Sequence, residues 1–184
     1  MMHQVTFGVL ACALSGTLAL AEPVALGAEG ALARLVEPLH GRSACYRRVY
    51  DARHLRAHPK QQVAALTLSI KYHRHPAAKE YPHGQRNYYF TLSAALKGKR
   101  SRLSSGGECT ANGESIRCAQ DCDGGGFALR TSGNALLLDL TTYGRLRMTP
   151  SCGEEENSIE LTPAADDRLF KLDLAPASFC RSLR

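Results

Sequence analysis

Six of the seven histidines fall between positions 40 and 83, and their spacing is the first hint of chemistry in the chain. His54 and His58 stand four apart, which on a helix places both imidazoles on one face. His73 and His75 stand two apart, which on a strand places them on one face, and His83 follows in the next loop. Imidazole binds zinc or copper well, and three or four such ligands make a site. Asp51 or Glu80 could add a carboxylate, and a metal-bound water would then be the nucleophile of a small hydrolase. Against this stand the missing H-E-x-x-H motif and the position of His58 before Pro59, where helix geometry fails. Ordinary surface histidines are the stronger reading of the same residues.

Asp121-Cys122-Asp123-Gly124-Gly125-Gly126 opens like a calcium loop, because alternate carboxylates can converge on a hard cation. Counting from Asp121, glycine does fall at position six, but Ser132 occupies position twelve where a bidentate Glu belongs. A tight turn that needs positive φ is the stronger reading of the triple glycine. Lys97, Lys99, Arg100 and Arg102 place four cations in six residues and suit an anionic headgroup. The competing role is to discourage pairing at a strand end. Glu154-Glu155-Glu156 reads as a solvated loop. No G-x-S-x-G elbow and no local triad appears. Beyond zinc, copper or calcium, no cofactor is implied.

These residues need a scaffold, and the chain supplies one of modest size. Its 184 residues are 44% hydrophobic and 22% charged, with 16 Gly and no Trp. That composition suits one globular domain, excludes an eight-fold βα barrel, and disfavours an aromatic cage or carbohydrate-stacking platform. Leu66 to Tyr72 and Tyr88 to Leu96 alternate apolar and polar residues, the period of a half-buried strand. Shorter strands are predicted at Ser115–Ala119, Phe127–Thr131, Ala135–Thr141, Arg145–Thr149, Ser158–Thr162 and Leu169–Leu174. Gly106-Gly107, Asn112-Gly113, the triple glycine, Ser132-Gly133-Asn134, Tyr143-Gly144 and Ser151-Cys152-Gly153 read as turns between them. About eight short strands without long helices predict an all-β antiparallel sandwich or barrel. Residues 22–44 read as a short helix or tail, and Ala52 to Ala57 as a second short helix capped by Asp51 and ended by Pro59.

From Val5 to Ala21 no side chain is charged, and Ala19-Leu20-Ala21 matches a signal-peptidase site. Cleavage after Ala21 is expected, leaving no transmembrane anchor, a single domain over 45–184 and a periplasmic or secreted protein. Six cysteines then remain: Cys45, Cys109, Cys118, Cys122, Cys152 and Cys180. Even parity in an exported chain predicts up to three disulfides, with 15 pairings open. Spacing favours Cys109 with Cys118 across the Asn112-Gly113 turn and Cys45 with Cys180 at the ends, leaving Cys122 with Cys152. Charge divides sharply: residues 22–107 carry net +10 and residues 108–184 net −4. In an exported chain a basic half points to an anionic envelope component or an acidic protein rather than nucleic acid. The bland alternative is that the two halves face each other in neighbouring strands.

Cys45 to Leu55 with His58-Pro59-Lys60-Gln61, the Cys118 to Phe127 stretch, and Asp166 to Leu172 before Cys180 together resemble an uncharacterised family of small exported bacterial proteins. The resemblance spans about residues 45–180. It implies periplasmic location and a disulfide-linked domain, supplies no activity, and marks His54, His58, Asp121 and Asp123 for testing. The leading expectation is a non-catalytic envelope-associated binding module for an anionic partner. The alternatives are the metal-dependent hydrolase and a purely structural protein.

Overall fold

The computed structural model describes residues 28–121, 123–149, 157–164 and 166–183. The expected signal segment and its cleavage site, Cys122, Cys152 and the triple glutamate lie outside them. Among the described residues the strands are β1 (Ser43–Val49), β2 (Val63–His75), β3 (Gln85–Leu96), β4 (Leu103–Asn112), β5 (Ser115–Ala119), β6 (Gly126–Ser132), β7 (Ala135–Asp139), β8 (Leu146–Met148), β9 (Ile159–Leu161) and β10 (Leu169–Ala175). Two short helices, α1 (Ala31–Leu35) and α2 (Ala52–Ala57), and a 3-10 turn at Ala177–Phe179 accompany them. β1 to β7 pair in sequence, all antiparallel, and β10 joins β7 to β1, so that eight strands close into a barrel. Closure removes the open edges that a sandwich would have to protect. β8 and β9 form a separate pair.

Alternation sets the two faces of the wall. Leu66, Leu68, Ile70 and Tyr72 of β2 are buried and stand in register with Ala94, Leu92, Phe90 and Tyr88 of β3. Phe127 and Leu129 of β6, Leu136 and Leu138 of β7, and Phe170 and Leu172 of β10 continue the same buried face. The Phe90 and Phe127 rings meet edge-on at 4.9 Å. Each such side chain contributes about 1.5–3 kcal/mol by leaving water. Lys71, Arg117, Arg130, Lys171 and Asp173 are exposed on the other face. An apolar lumen within a polar wall is the reverse of a transmembrane barrel. No helix among the described residues is long and apolar enough to cross a membrane.

Both ends of the barrel are stoppered. At one, α1 buries Ala31, Leu32 and Val36, and the Tyr88 hydroxyl donates to the Val36 carbonyl at 3.3 Å. At the other, Leu146 and Met148 of β8 and Leu161 of β9 are buried. β8 docks where β5 ends, bridging β6 through Gly125–Leu146 and reaching β4 through Ser104–Thr149. A Cβ on Gly125 would lie 2.1 Å from the Arg145 carbonyl oxygen, and Gly125 has φ +77°. The triple glycine is therefore the seat of β8.

Two strands escape the sequence reading. β1 begins inside the segment read as helix or tail, which among its described residues is helical over five, Ala31–Leu35. β4 runs straight through Gly106-Gly107, which was expected to turn. Gly107 sits in a strand because a Cβ there would lie 2.1 Å from the Ala119 carbonyl oxygen and 2.9 Å from the Phe90 ring. Close approach, not a change of direction, explains the glycine. α2 and its Asp51 cap match the expectation: Asp51 Oδ1 accepts from the His54 amide at 2.7 Å. The disulfides Cys45–Cys180 and Cys109–Cys118 are both present. Cys109 and Cys118 are directly opposite on β4 and β5 and buried, whereas Cys45–Cys180 ties the C-terminal turn to β1.

Candidate functional site

The histidines do not form one cluster. β2 separates them into two groups, at its two ends, and from Val63 to His73 an extended strand covers roughly 30 Å.

The first group is built on the short loop that carries α2. His54 and His58 stack at 4.1 Å between ring centres, Tyr50 stacks on His54 at 4.6 Å, and the Arg48 guanidinium lies 5.2 Å from the centre of the Tyr50 ring. Gln61, 2% exposed, donates through Nε2 to the Val63 carbonyl at 2.7 Å, so its Oε1, 3.0 Å from His54 Nε2, accepts from that nitrogen. His58 Nδ1 donates to the His54 carbonyl at 2.9 Å. These bonds fix both rings and leave His58 Nε2 available. Burial raises the Tyr50 hydroxyl above its usual range, a shift opposed by the Arg48 charge. Arg48, Tyr50, Arg53, His54, Ala57 and His58 line a cleft of about 290 Å³ together with Val49 and Asp51.

The basic turn comes to the same end of the barrel. Lys97 donates from Nζ to the Pro59 carbonyl at 3.0 Å and from its backbone amide to Gln62 at 2.8 Å. Asp167, 1% exposed, accepts from the amides of Gln62 at 2.6 Å and Val63 at 3.3 Å. Burial pushes its carboxyl above the usual range, and those two amides and Lys97 pull it back. Lys99, Arg100 and Arg102 are exposed beside this anchored stem. Residues 48–60 and 97–102 carry eight Lys and Arg and one acid of their own, Asp51, with Asp167 and the Arg48 partner Asp173 adjoining them.

The second group lies on the outer face of β2 and β3. His73 stands 4.3 Å from His75 and 4.6 Å from His40, ring centre to ring centre. His75 Nε2 and the Tyr89 hydroxyl are 2.8 Å apart, and Asn87 donates to Glu108 at 3.1 Å. Desolvation, then His75, His40 and Lys71, hold the His73 imidazole below its ordinary value. His83 is exposed in the loop between β2 and β3. Sequence spacing could not place His40, which comes from the segment before β1, nor Tyr89 and Glu108, which strand register supplies.

Asp121 and Asp123 are exposed on either side of Cys122, and the Asp123 carbonyl accepts from Arg145 at 3.0 Å. Among the described residues no group of three or more His, Cys, Asp or Glu side chains has the arrangement of a metal site. The expected five-histidine cluster is therefore replaced by two separate pairs, His54 with His58 stacked and His73 with His75 tilted, with His83 apart from both. What the first group can do is receive an anion: arginine supplies fixed donors, and imidazole and phenol hydroxyl add two more. Comparison with protein-family models, with curated proteins and with solved structures finds no match to this chain.

Proposed function

We propose that this chain is a non-catalytic, exported module that binds an anionic component of the cell envelope through the basic end of its barrel. The observation that carries this reading is the anchoring of the Lys97–Arg102 turn beside α2, which sets its four cations next to the four of residues 48–60, against Asp51 within these segments and Asp167 and Asp173 beside them. Lumen and wall support it too: a barrel filled by side chains and closed at both ends leaves binding to the surface. Two disulfides favour an oxidising compartment, and the resemblance to small exported bacterial proteins agrees with a periplasmic or secreted location.

Among anionic envelope components, the phosphate-bearing lipid surface fits best, because flexible cations on an exposed turn each contribute about 1 kcal/mol near such a surface. The test is sedimentation of the isolated protein with phosphatidylglycerol vesicles and with phosphatidylcholine vesicles. Binding to the former alone is expected. Replacing Lys99, Arg100 and Arg102 together by Gln should cost about 3 kcal/mol, roughly a hundredfold in affinity. Equal binding to both vesicle types, or an unaffected triple variant, would overturn the reading. Binding to an acidic protein instead would redirect it.

A further inference from the structure

We propose that the cleft between the end of β1 and α2 is a discrete binding site for one phosphoryl group. The inference rests on the anion-binding reading above and names the chemical group that the site takes. Arg48 Nε is the one buried side-chain donor among the described residues without a hydrogen-bond partner. Its Nη1 is 3.4 Å from an Asp173 carboxylate oxygen, its guanidinium lies over the Tyr50 ring, and the side chain as a whole is 39% exposed at the edge of the cleft. A buried donor left without an acceptor is costly, and a turn of the partly exposed guanidinium toward the cleft would let a ligand oxygen remove that cost.

Three further groups border the same cleft. Arg53 is exposed on α2, His58 offers Nε2 because its Nδ1 is committed to the His54 carbonyl, and Tyr50 brings a hydroxyl. Asp51 is the carboxylate of the cleft, and its Oδ1 already accepts from the His54 amide. Arg48 comes from a strand, Arg53 from a helix and His58 from the helix end. A tetrahedral phosphate offers three oxygens to meet them, whereas a carboxylate offers two in one plane. The cleft of about 290 Å³ has room for the phosphate and a small polar alcohol attached to it, such as glycerol. The stacked Tyr50, His54 and His58 rings and the Gln61 anchor hold the donors in place without a ligand.

The experiment titrates the isolated protein with glycerol 1-phosphate, following the side-chain nitrogen resonances of Arg and His, and repeats the titration with phosphatidylglycerol vesicles present. Saturable binding that shifts the Arg53 and His58 signals is expected. Arg53→Gln and His58→Asn should each weaken it about tenfold or more, the loss of one charge-assisted bond. Lys79→Gln, an exposed change in the loop at the far end of β2, should leave it unchanged. Competition from the vesicles would identify a lipid headgroup as the source, and its absence a soluble phosphorylated compound. Failure to saturate, or saturation that ignores both the Arg53 and His58 changes, would overturn the inference. If vesicle binding then persisted with its dependence on Lys99, Arg100 and Arg102, the broader function would stand without the cleft. Loss of both would end both.

Discussion

Single residues in this chain are read best where geometry forces a choice. Asp167 is a buried carboxylate whose work is to accept two amides at the start of β2. Asp167→Ala should lower stability by about 1–3 kcal/mol in urea unfolding, because both donors lose their acceptor. His73 carries a different signature. Its imidazole is held below the ordinary 6.5 by desolvation and by His75, His40 and Lys71, so the unfolded chain takes up the proton more readily than the fold. Its contribution to stability is present above pH 6.5 and is lost as the pH falls from there through the lower midpoint of the folded state. Proton NMR should find the His73 midpoint below 6.5, and His75→Gln should move it upward. A midpoint at or above 6.5 would contradict the close packing of His73 against His75 and His40. The sequence made the histidine spacing plain but not the partners, since Tyr50, Gln61 and Tyr89 meet the imidazoles through stacking, loop closure and strand register.

Elements were legible where a local rule was strong. Asp51 before Ala52 and Pro59 after His58 bound α2 to the residue, and strict alternation marked the interiors of β2 and β3. β1 and β4 were missed because nonlocal contacts decide them: β1 pairs with β2 and β10, and β4 tolerates glycine where the Ala119 backbone crosses it. The same physics makes Gly125 testable. Gly125→Ala forces a side chain onto the Arg145 carbonyl at positive φ and should destabilise by about 1–3 kcal/mol in a thermal or urea melt. The disulfides should part company under mild reductant. Both sulfurs of Cys109–Cys118 belong to buried residues, while Cys180 is partly exposed, so Cys45–Cys180 should open first in a mass-spectrometric time course. Replacing Cys45 and Cys180 by Ser should cost about 2–4 kcal/mol, since the bridge closes a long loop across the barrel.

At the scale of the whole molecule, the charge division between the two halves of the chain is cancelled in some places and left standing in others. Part of it follows the bland expectation, because Arg48–Asp173 and Arg34–Glu114 pair basic with acidic halves. Among the described residues the other cations of 48–60 and 97–102 form no ion pair, and their joint placement is a product of the tie between Lys97 and Pro59. Sequence showed both runs but not their neighbourhood. Binding through this end should weaken steeply as ionic strength rises from about 0.01 M to about 0.15 M, over which the Debye length shrinks from about 30 Å to about 8 Å. The most direct measurement is a backbone amide shift map of the isolated protein titrated with phosphatidylglycerol nanodiscs. The account expects perturbation concentrated in residues 48–60 and 97–102, with the β2–β3 loop and α1 unmoved. Perturbation centred on the opposite end, or none at all, would contradict it.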